Sequence, residues 1–162
     1  MPDAVSNTSP LFYLHRIGIL AWLPRLFGSV WIANAVAQKL LGGQRKGHDV
    51  PDLANCPWLR IVEPGAMPSE WLALDLGPGE LATMALALEN PTRIVFLDDA
   101  MARRTAQAAG LTVWGTLRLL LEAKTQGLSD RIEPLVKRLE QAGMWISADV
   151  RARILTLARE HE

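Results

Sequence analysis

The chain has 162 residues, of which 49% are hydrophobic and 21% charged, a composition typical of one globular domain and not of a disordered segment. Seventeen basic residues balance seventeen acidic ones, so bulk charge does not predict strong non-specific binding to nucleic acid, although a local basic patch stays open. The single cysteine, Cys56, excludes an internal disulfide and a cysteine-rich zinc site. No signal peptide is apparent and the apolar runs fall short of a membrane span, so we expect a cytoplasmic protein without a membrane partner.

Short apolar runs alternate with segments of helical periodicity along the chain. The predicted strands are 4–5, 30–32, 60–63, 94–97 and 111–114. The predicted helices are 11–20, 34–41, 78–88, 100–109, 116–124, 132–141 and 148–160. This alternation predicts an α/β fold with a parallel sheet covered on both faces, in one domain spanning 1–162. Residues 128–162 are expected to form a helical extension packed on that domain.

The stretch VFLDDAMARR, residues 95–104, puts two adjacent carboxylates directly after a buried strand. Ligands of parallel sheets bind outside the carboxyl ends of the strands, and Asn7, Glu80, Asp98 and Asp99 all fall near such positions. Carboxylate and amide oxygens suit a hard cation such as Mg²⁺. A metal site is one interpretation of these residues. The other is helix stabilisation, with Glu80 in a first helical turn and Asp98 or Asp99 as an N-cap.

Hydroxyls and arginines near these acids carry the same ambiguity. Thr8 and Ser9 could bind a phosphate or a water next to a metal, or Ser9 could cap the helix opened by Pro10. Arg103 and Arg104 could meet RNA phosphates, or could face solvent or pair with Asp99. The three histidines, His15, His48 and His161, show no metal-ligand spacing, and we interpret them as structural or surface residues.

Four motifs in order along the chain resemble the PIN-domain-like family of prokaryotes. They are VSNTSPL (5–11), GPGE (77–80), FLDDAMARR (96–104) and GTLRLLLEAKTQGL (115–128). The resemblance implies a three-layer α/β/α fold with a central parallel sheet and a helical C-terminal part. It also implies an acidic site that binds Mg²⁺ or Mn²⁺, because many PIN domains are metal-dependent ribonucleases and many of those are VapC-type toxins.

Carried over residue by residue, the family's acidic pattern is incomplete in this chain. The first acid falls on Asn7, the second on Lys39, the third on Glu80, and the last on Asp99 with Asp98 beside it. Lys39 could be buried among the acids and neutralise them, or its stem could reach solvent or a substrate phosphate.

The resemblance therefore supports a metal-dependent endoribonuclease, the toxin of a toxin–antitoxin pair. Glu80, Asp98 and Asp99 would bind the cation and Asn7 would be a neutral ligand, with Thr8, Ser9, Lys39 and Arg103 near the RNA. The main alternative is a catalytically degenerate PIN-like domain that binds protein or RNA, and a small-molecule-binding α/β domain comes last. Expected partners are RNA, an antitoxin protein and a second copy of the chain, since the apolar C-terminal stripes and six tryptophans favour a homodimer.

Overall fold

The computed structural model of the protein describes residues 1–160, so the prediction for His161 lies outside the described residues. Five short strands form one sheet: β1 (Ala4–Ser6), β2 (Val30–Ile32), β3 (Leu59–Ile61), β4 (Ile94–Phe96) and β5 (Val113–Trp114). Residues 1–160 also form eight α-helices: α1 (Thr8–Arg16), α2 (Leu23–Leu26), α3 (Asn34–Arg45), α4 (Pro78–Glu89), α5 (Ala100–Ala108), α6 (Thr116–Thr125), α7 (Glu133–Gln141) and α8 (Ala148–Leu157). No helix among the described residues combines the length and the apolar character needed to cross a membrane.

All four strand pairings are parallel, and the strand order is β3-β2-β1-β4-β5. Strands β2 and β3 therefore lie on one side of β1, and β4 and β5 lie on the other side. The gap between the carboxyl ends of β1 and β4 is the point where the strand order reverses. In open parallel sheets this is where ligands bind.

Alternating side chains of the strands pack into two cores, one on each face of the sheet. Ala4 and Phe96 contribute to a core shared with helices α1, α2, α3, α6, α7 and α8. Val95 and Leu97 contribute to a second core with α4 and α5. Because successive strand residues point to opposite faces, this arrangement is a three-layer α/β/α fold with a central parallel sheet, as predicted.

Several predicted boundaries differ from the observed ones for local physical reasons. Helix α3 runs on to Arg45 and not to 41, so Gly42 and Gly43 lie inside it, and a Cβ on Gly43 would lie 3.2 Å from Val50. The strand predicted over 60–63 is Leu59–Ile61, and Glu63 instead accepts a hydrogen bond from the Asn34 N–H at 2.6 Å. Strand β5 keeps only Val113–Trp114.

The last helix is also shorter than predicted. It ends at Leu157, because Arg159 takes a left-handed backbone conformation with φ of 59°. The Glu160 N–H then donates to the Leu155 carbonyl at 2.8 Å, a turn that closes the helix end. Ser147 caps the start of the same helix as predicted, accepting a hydrogen bond from Val150 N–H.

Candidate active site at the carboxyl edge of the sheet

Asn7 and Asp98 lie on either side of the point where the strand order reverses. Asn7 directly follows β1, and its backbone N–H donates to the Phe96 carbonyl at 3.1 Å, which ties the ends of β1 and β4 together. Asp98 follows β4 after Leu97, whose N–H donates to the Trp114 carbonyl of β5 at 3.0 Å. The backbone pairing of three strands therefore fixes where these polar side chains emerge.

The Asp98 carboxylate is held by three hydrogen bonds from two other segments. Its Oδ2 accepts from the Ser9 hydroxyl at 3.0 Å and from the Thr116 hydroxyl at 2.7 Å. Its Oδ1 accepts from the Thr116 backbone N–H at 2.8 Å, at the first residue of α6. An ionised carboxylate has about four acceptor positions, so Asp98 is oriented by its own chain and keeps one acceptor position free.

Asp99 is the N-cap of α5. Its Oδ2 accepts a hydrogen bond from the Ala102 N–H at 2.9 Å, as expected of an aspartate at the start of a helix. The other oxygen, Oδ1, makes no hydrogen bond with residues 1–160, and Asp99 lines the cavity described below. Capping and a place at the site are therefore compatible for this residue.

Asn7 and Thr8 leave buried oxygen atoms without partners. The Asn7 residue is only 4% exposed, and neither its Oδ1 nor the Thr8 Oγ1 has a hydrogen-bond partner within residues 1–160. Asn7 is the N-cap of α1 by position, but its side chain makes no capping hydrogen bond. Leaving a buried acceptor unpaired costs about 1–3 kcal/mol, so these two atoms mark a place suited to a ligand.

Ser9 does not cap a helix, contrary to that alternative, because α1 already begins at Thr8 and the Ser9 hydroxyl turns to Asp98. Glycine then lets α4 approach this corner closely. A Cβ on Gly79 would lie 3.3 Å from Asn7 Oδ1 and 3.7 Å from Thr8 Oγ1. The GPGE turn therefore brings the start of α4 against the carboxyl end of β1.

Glu80 belongs to the first turn of α4, where the helix dipole favours a negative charge. Its carboxylate lies over Gly77, since a Cβ on Gly77 would be only 2.8 Å from Glu80 Oε2. Glu80 makes no side-chain hydrogen bond or ion pair with the part of the chain that the structure describes. It lines the same cavity as Asn7, Asp98 and Asp99.

The basic candidates take different positions. Arg103 lines the cavity beside Gly115, where its guanidinium occupies the space that a Cβ would need. Lys39 is exposed on α3 and does not line the cavity, so it is not buried among the acids. Arg104 is exposed, and neither it nor Arg103 forms an ion pair with Asp99 within residues 1–160.

A cavity of about 730 Å³ joins these residues to an apolar groove. At one end lie Asn7, Ser9, Glu80, Asp98 and Asp99. From there it extends between α6 and α8 and along the loop that precedes α8. The acidic corner is thus part of a larger cavity, whose volume lies in the range of ligand-binding clefts.

The donor set decides which kind of cation could fit. Among residues 1–160, no three His, Cys, Asp or Glu side chains converge closely enough to enclose a metal ion by themselves. Magnesium, however, usually keeps several waters and takes only one or two protein carboxylates. The unpartnered Asn7 Oδ1 and the free Asp99 Oδ1 are suitable oxygen donors, so these residues fit a hydrated Mg²⁺ or Mn²⁺ and not a fully enclosed cation.

Thr116 is the site residue that the sequence interpretation missed. It is fully buried and gives Asp98 two of its three hydrogen bonds. The signal was present, because Gly115-Thr116 follows the last predicted strand just as Asp98 follows the strand before it. A hydroxyl at a strand end is less distinctive than a pair of aspartates.

The fold and the candidate site define a three-layer α/β protein with an acidic corner at the carboxyl edge of a parallel sheet. Residues 3–160 match the model of a family described as PIN domain. The chain therefore belongs to the PIN-domain family, which confirms the resemblance seen in its motifs. None of the curated proteins matches the chain at a significant level.

Proposed function

We propose that this protein is a metal-dependent endoribonuclease of the PIN type and the toxin of a toxin–antitoxin pair in the cytoplasm. The supporting observation is that Asn7, Glu80, Asp98 and Asp99, from three separate segments, line one end of a single cavity at the point of strand-order reversal. Membership of the PIN-domain family supports nuclease chemistry at this place. An antitoxin protein and a second copy of the chain are the partners that this function implies.

Each site residue has a role in the proposal. Of Glu80, Asp98 and Asp99, one or two would bind a hydrated Mg²⁺ or Mn²⁺ ion directly and the rest through its waters, with Asn7 as a neutral ligand or a group that positions water. When bound, the ion supplies positive charge that stabilises a phosphodiester under attack by water.

The neighbouring residues prepare the site for substrate. Thr116 and Ser9 orient Asp98 by hydrogen bonds that exist before any ligand arrives. Arg103, at the cavity wall beside Gly115, supplies a cation for a substrate phosphate. Thr8 contributes a buried hydroxyl that still lacks a partner.

Cleavage of RNA by the purified protein tests this function. A single-stranded RNA of mixed sequence is incubated with Mg²⁺ or Mn²⁺, with EDTA, and with an Asp99→Asn variant. Asparagine is also a good N-cap, so the variant should stay folded while cleavage falls by about 100-fold or more, the scale of losing one electrostatic group. Full activity of Asp99→Asn, or equal cleavage in EDTA, would contradict the proposal.

A degenerate PIN domain that binds without cutting is the second candidate. It is favoured by Asn7 and Lys39 at two positions where the family pattern has acids, and by the absence of three converging acidic side chains within residues 1–160. The Asn7→Asp/Lys39→Glu double variant separates the two candidates. Cation-dependent cleavage that arises only in the double variant would establish degeneration, whereas equal cleavage by both proteins would exclude it.

A further inference from the structure

The cleft that begins at the acidic corner ends at an exposed tryptophan. Trp145, in the loop before α8, lines the same cavity as Asp98 and is 86% exposed. Two side chains of α8 that also line it, Val150 and Leu157, are exposed as well. Exposed apolar side chains that share one groove indicate an interaction site, because exposed apolar residues are otherwise scattered singly over a protein surface.

Arginines accompany this apolar surface along the cleft. Arg103, Arg118 and Arg153 all line the cavity, and none of them forms an ion pair within 4.0 Å with a carboxylate of residues 1–160. By contrast, Arg131 and Arg151, which lie outside the cavity wall, are both paired with glutamates. The cleft therefore keeps its cations available for an external anion.

The cleft also contains a guanidinium stacked on an aromatic ring, those of Arg118 and Trp114. The guanidinium lies over the ring with 4.9 Å between the guanidinium carbon and the ring centroid. Trp114 itself lines the cavity and is the last residue of β5. Aromatic faces together with arginines are the features that hold unpaired bases and their phosphates.

We propose that Trp145 is a base-stacking platform for single-stranded RNA, with Arg118 and Arg153 contacting the phosphates on the way to the acidic corner. This inference rests on the proposed function and adds the residue that holds an unpaired base. A duplex would not offer the free base faces that an exposed tryptophan ring binds. An apolar partner helix would use the surface of Trp145 but would leave the arginines without anions.

Binding of a labelled single-stranded RNA, followed by fluorescence anisotropy in EDTA, tests the role of Trp145 without any cleavage. Trp145→Ala should raise the Kd roughly 5- to 150-fold, the range seen when one base–aromatic stack is removed. Trp145→Phe should retain most of the affinity, and Trp145→Leu, which keeps an apolar surface but no aromatic face, should not. Leu72→Ala is the matched control, because Leu72 is 67% exposed and lies away from the cavity.

The arginines have a separate signature in the salt dependence. Arg153→Ala should reduce the slope of log Kd against log salt concentration by about 0.7, the value for one phosphate contact on a single strand. It should do so for RNAs of any sequence, since phosphate contacts carry no base information. An unchanged slope would remove Arg153 from the RNA path.

The outcomes separate this inference from the proposed function. Loss of RNA binding in Trp145→Ala and Trp145→Leu, with binding intact in Trp145→Phe and Leu72→Ala, supports the platform even if the wild type cleaves nothing. Equal binding by the wild type and Trp145→Ala overturns it, even if the wild type cleaves RNA. Retained RNA binding in Trp145→Leu also overturns it, because an apolar side chain without an aromatic face would then be sufficient.

Discussion

Two regions of this molecule that contain carboxylates differ in how completely their buried polar atoms are hydrogen-bonded. Near the C-terminus, the buried Glu160 side chain accepts hydrogen bonds from the Ile132 N–H at 2.8 Å, the Glu133 N–H at 2.9 Å and the Lys124 ammonium at 3.0 Å. At the carboxyl edge of the sheet, Asn7 Oδ1 and Thr8 Oγ1 are buried and have no hydrogen-bond partner among residues 1–160. Residues that only stabilise a fold use up their hydrogen-bonding capacity, whereas residues of a binding site keep part of it for the ligand.

The two regions also differ in what surrounds them. Glu160 fastens the end of the chain to the start of α7, and its partners come from Lys124 of α6 and from residues 132–133. The acidic corner faces an open cleft. The C-terminal region does have one unpartnered buried atom, Arg151 Nη1, but that arginine is engaged through its Nη2 and Nε with Glu133 and Glu140, each at 3.6 Å.

Removing the Glu160 charge should have the largest effect on stability. Glu160→Gln puts an amide where three donors point, so we expect the free energy of unfolding to fall by about 2–3 kcal/mol. Urea denaturation measures this, and Glu70→Gln is the control because Glu70 is exposed. A loss no larger than that of the control would show that the C-terminal contacts are incidental.

The stability difference between the wild type and Glu160→Gln should depend on pH. Burial raises the pKa of Glu160, but the two backbone N–H donors and Lys124 outweigh it and hold the pKa below its ordinary value. A carboxyl with a lowered folded pKa stabilises the protein above its unfolded pKa of about 4.3, and this contribution disappears as pH falls through the folded pKa.

The stability difference between wild type and Glu160→Gln should therefore be full near neutral pH and shrink on acidification below about pH 4.3. Denaturation midpoints measured across this range check the sign. A difference that grows as the pH falls would contradict the account.

Thr116→Val should have an intermediate effect. It removes one charge-assisted hydrogen bond to Asp98 but keeps the backbone N–H bond, so we expect a loss of about 1.5 kcal/mol. Thr125→Val in the same helix is the control, because the Thr125 hydroxyl bonds only to the Leu121 carbonyl one turn earlier. Equal losses in the two variants would mean that Thr116 does not orient Asp98.

Asn7→Ala should have the smallest effect on stability, below about 1 kcal/mol. The Asn7 side chain makes no capping hydrogen bond, and removing its unpaired oxygen offsets the lost packing. Asp99→Ala, which removes a cap that is made, should cost about 1 kcal/mol. If Asn7→Ala instead destabilises more than Asp99→Ala, Asn7 is a structural residue and not a residue kept for a ligand.

Much of the fold could be predicted from the sequence because its signals are local. The apolar run before Asp98 and the GPGE turn before α4 each fix an element within a few residues, and both were predicted correctly. What was missed depends on contacts far apart in the chain. Ser9 reaches Asp98 across 89 positions, so only the folded sheet shows that its hydroxyl orients a carboxylate and does not cap a helix.

The same reasoning explains Lys39 and Glu160. Whether Lys39 is buried depends on the rotational phase and packing of α3, which the sequence alone left open, and the structure exposes it. The carboxylate of Glu160 meets the N–H groups of residues 132–133 only because α7 and α8 pack together, and no local motif predicts that.

Titration of the purified protein with Mn²⁺ shows whether the oxygens of Asn7 and Asp99 at the carboxyl edge of the sheet accept a cation. The free ion is titrated by electron paramagnetic resonance against wild type, Asp99→Asn and the exposed control Asp130→Asn. We expect saturable binding at one site in the wild type and in Asp130→Asn, and its loss in Asp99→Asn. Absence of binding in the wild type, or equal binding in all three proteins, would contradict it.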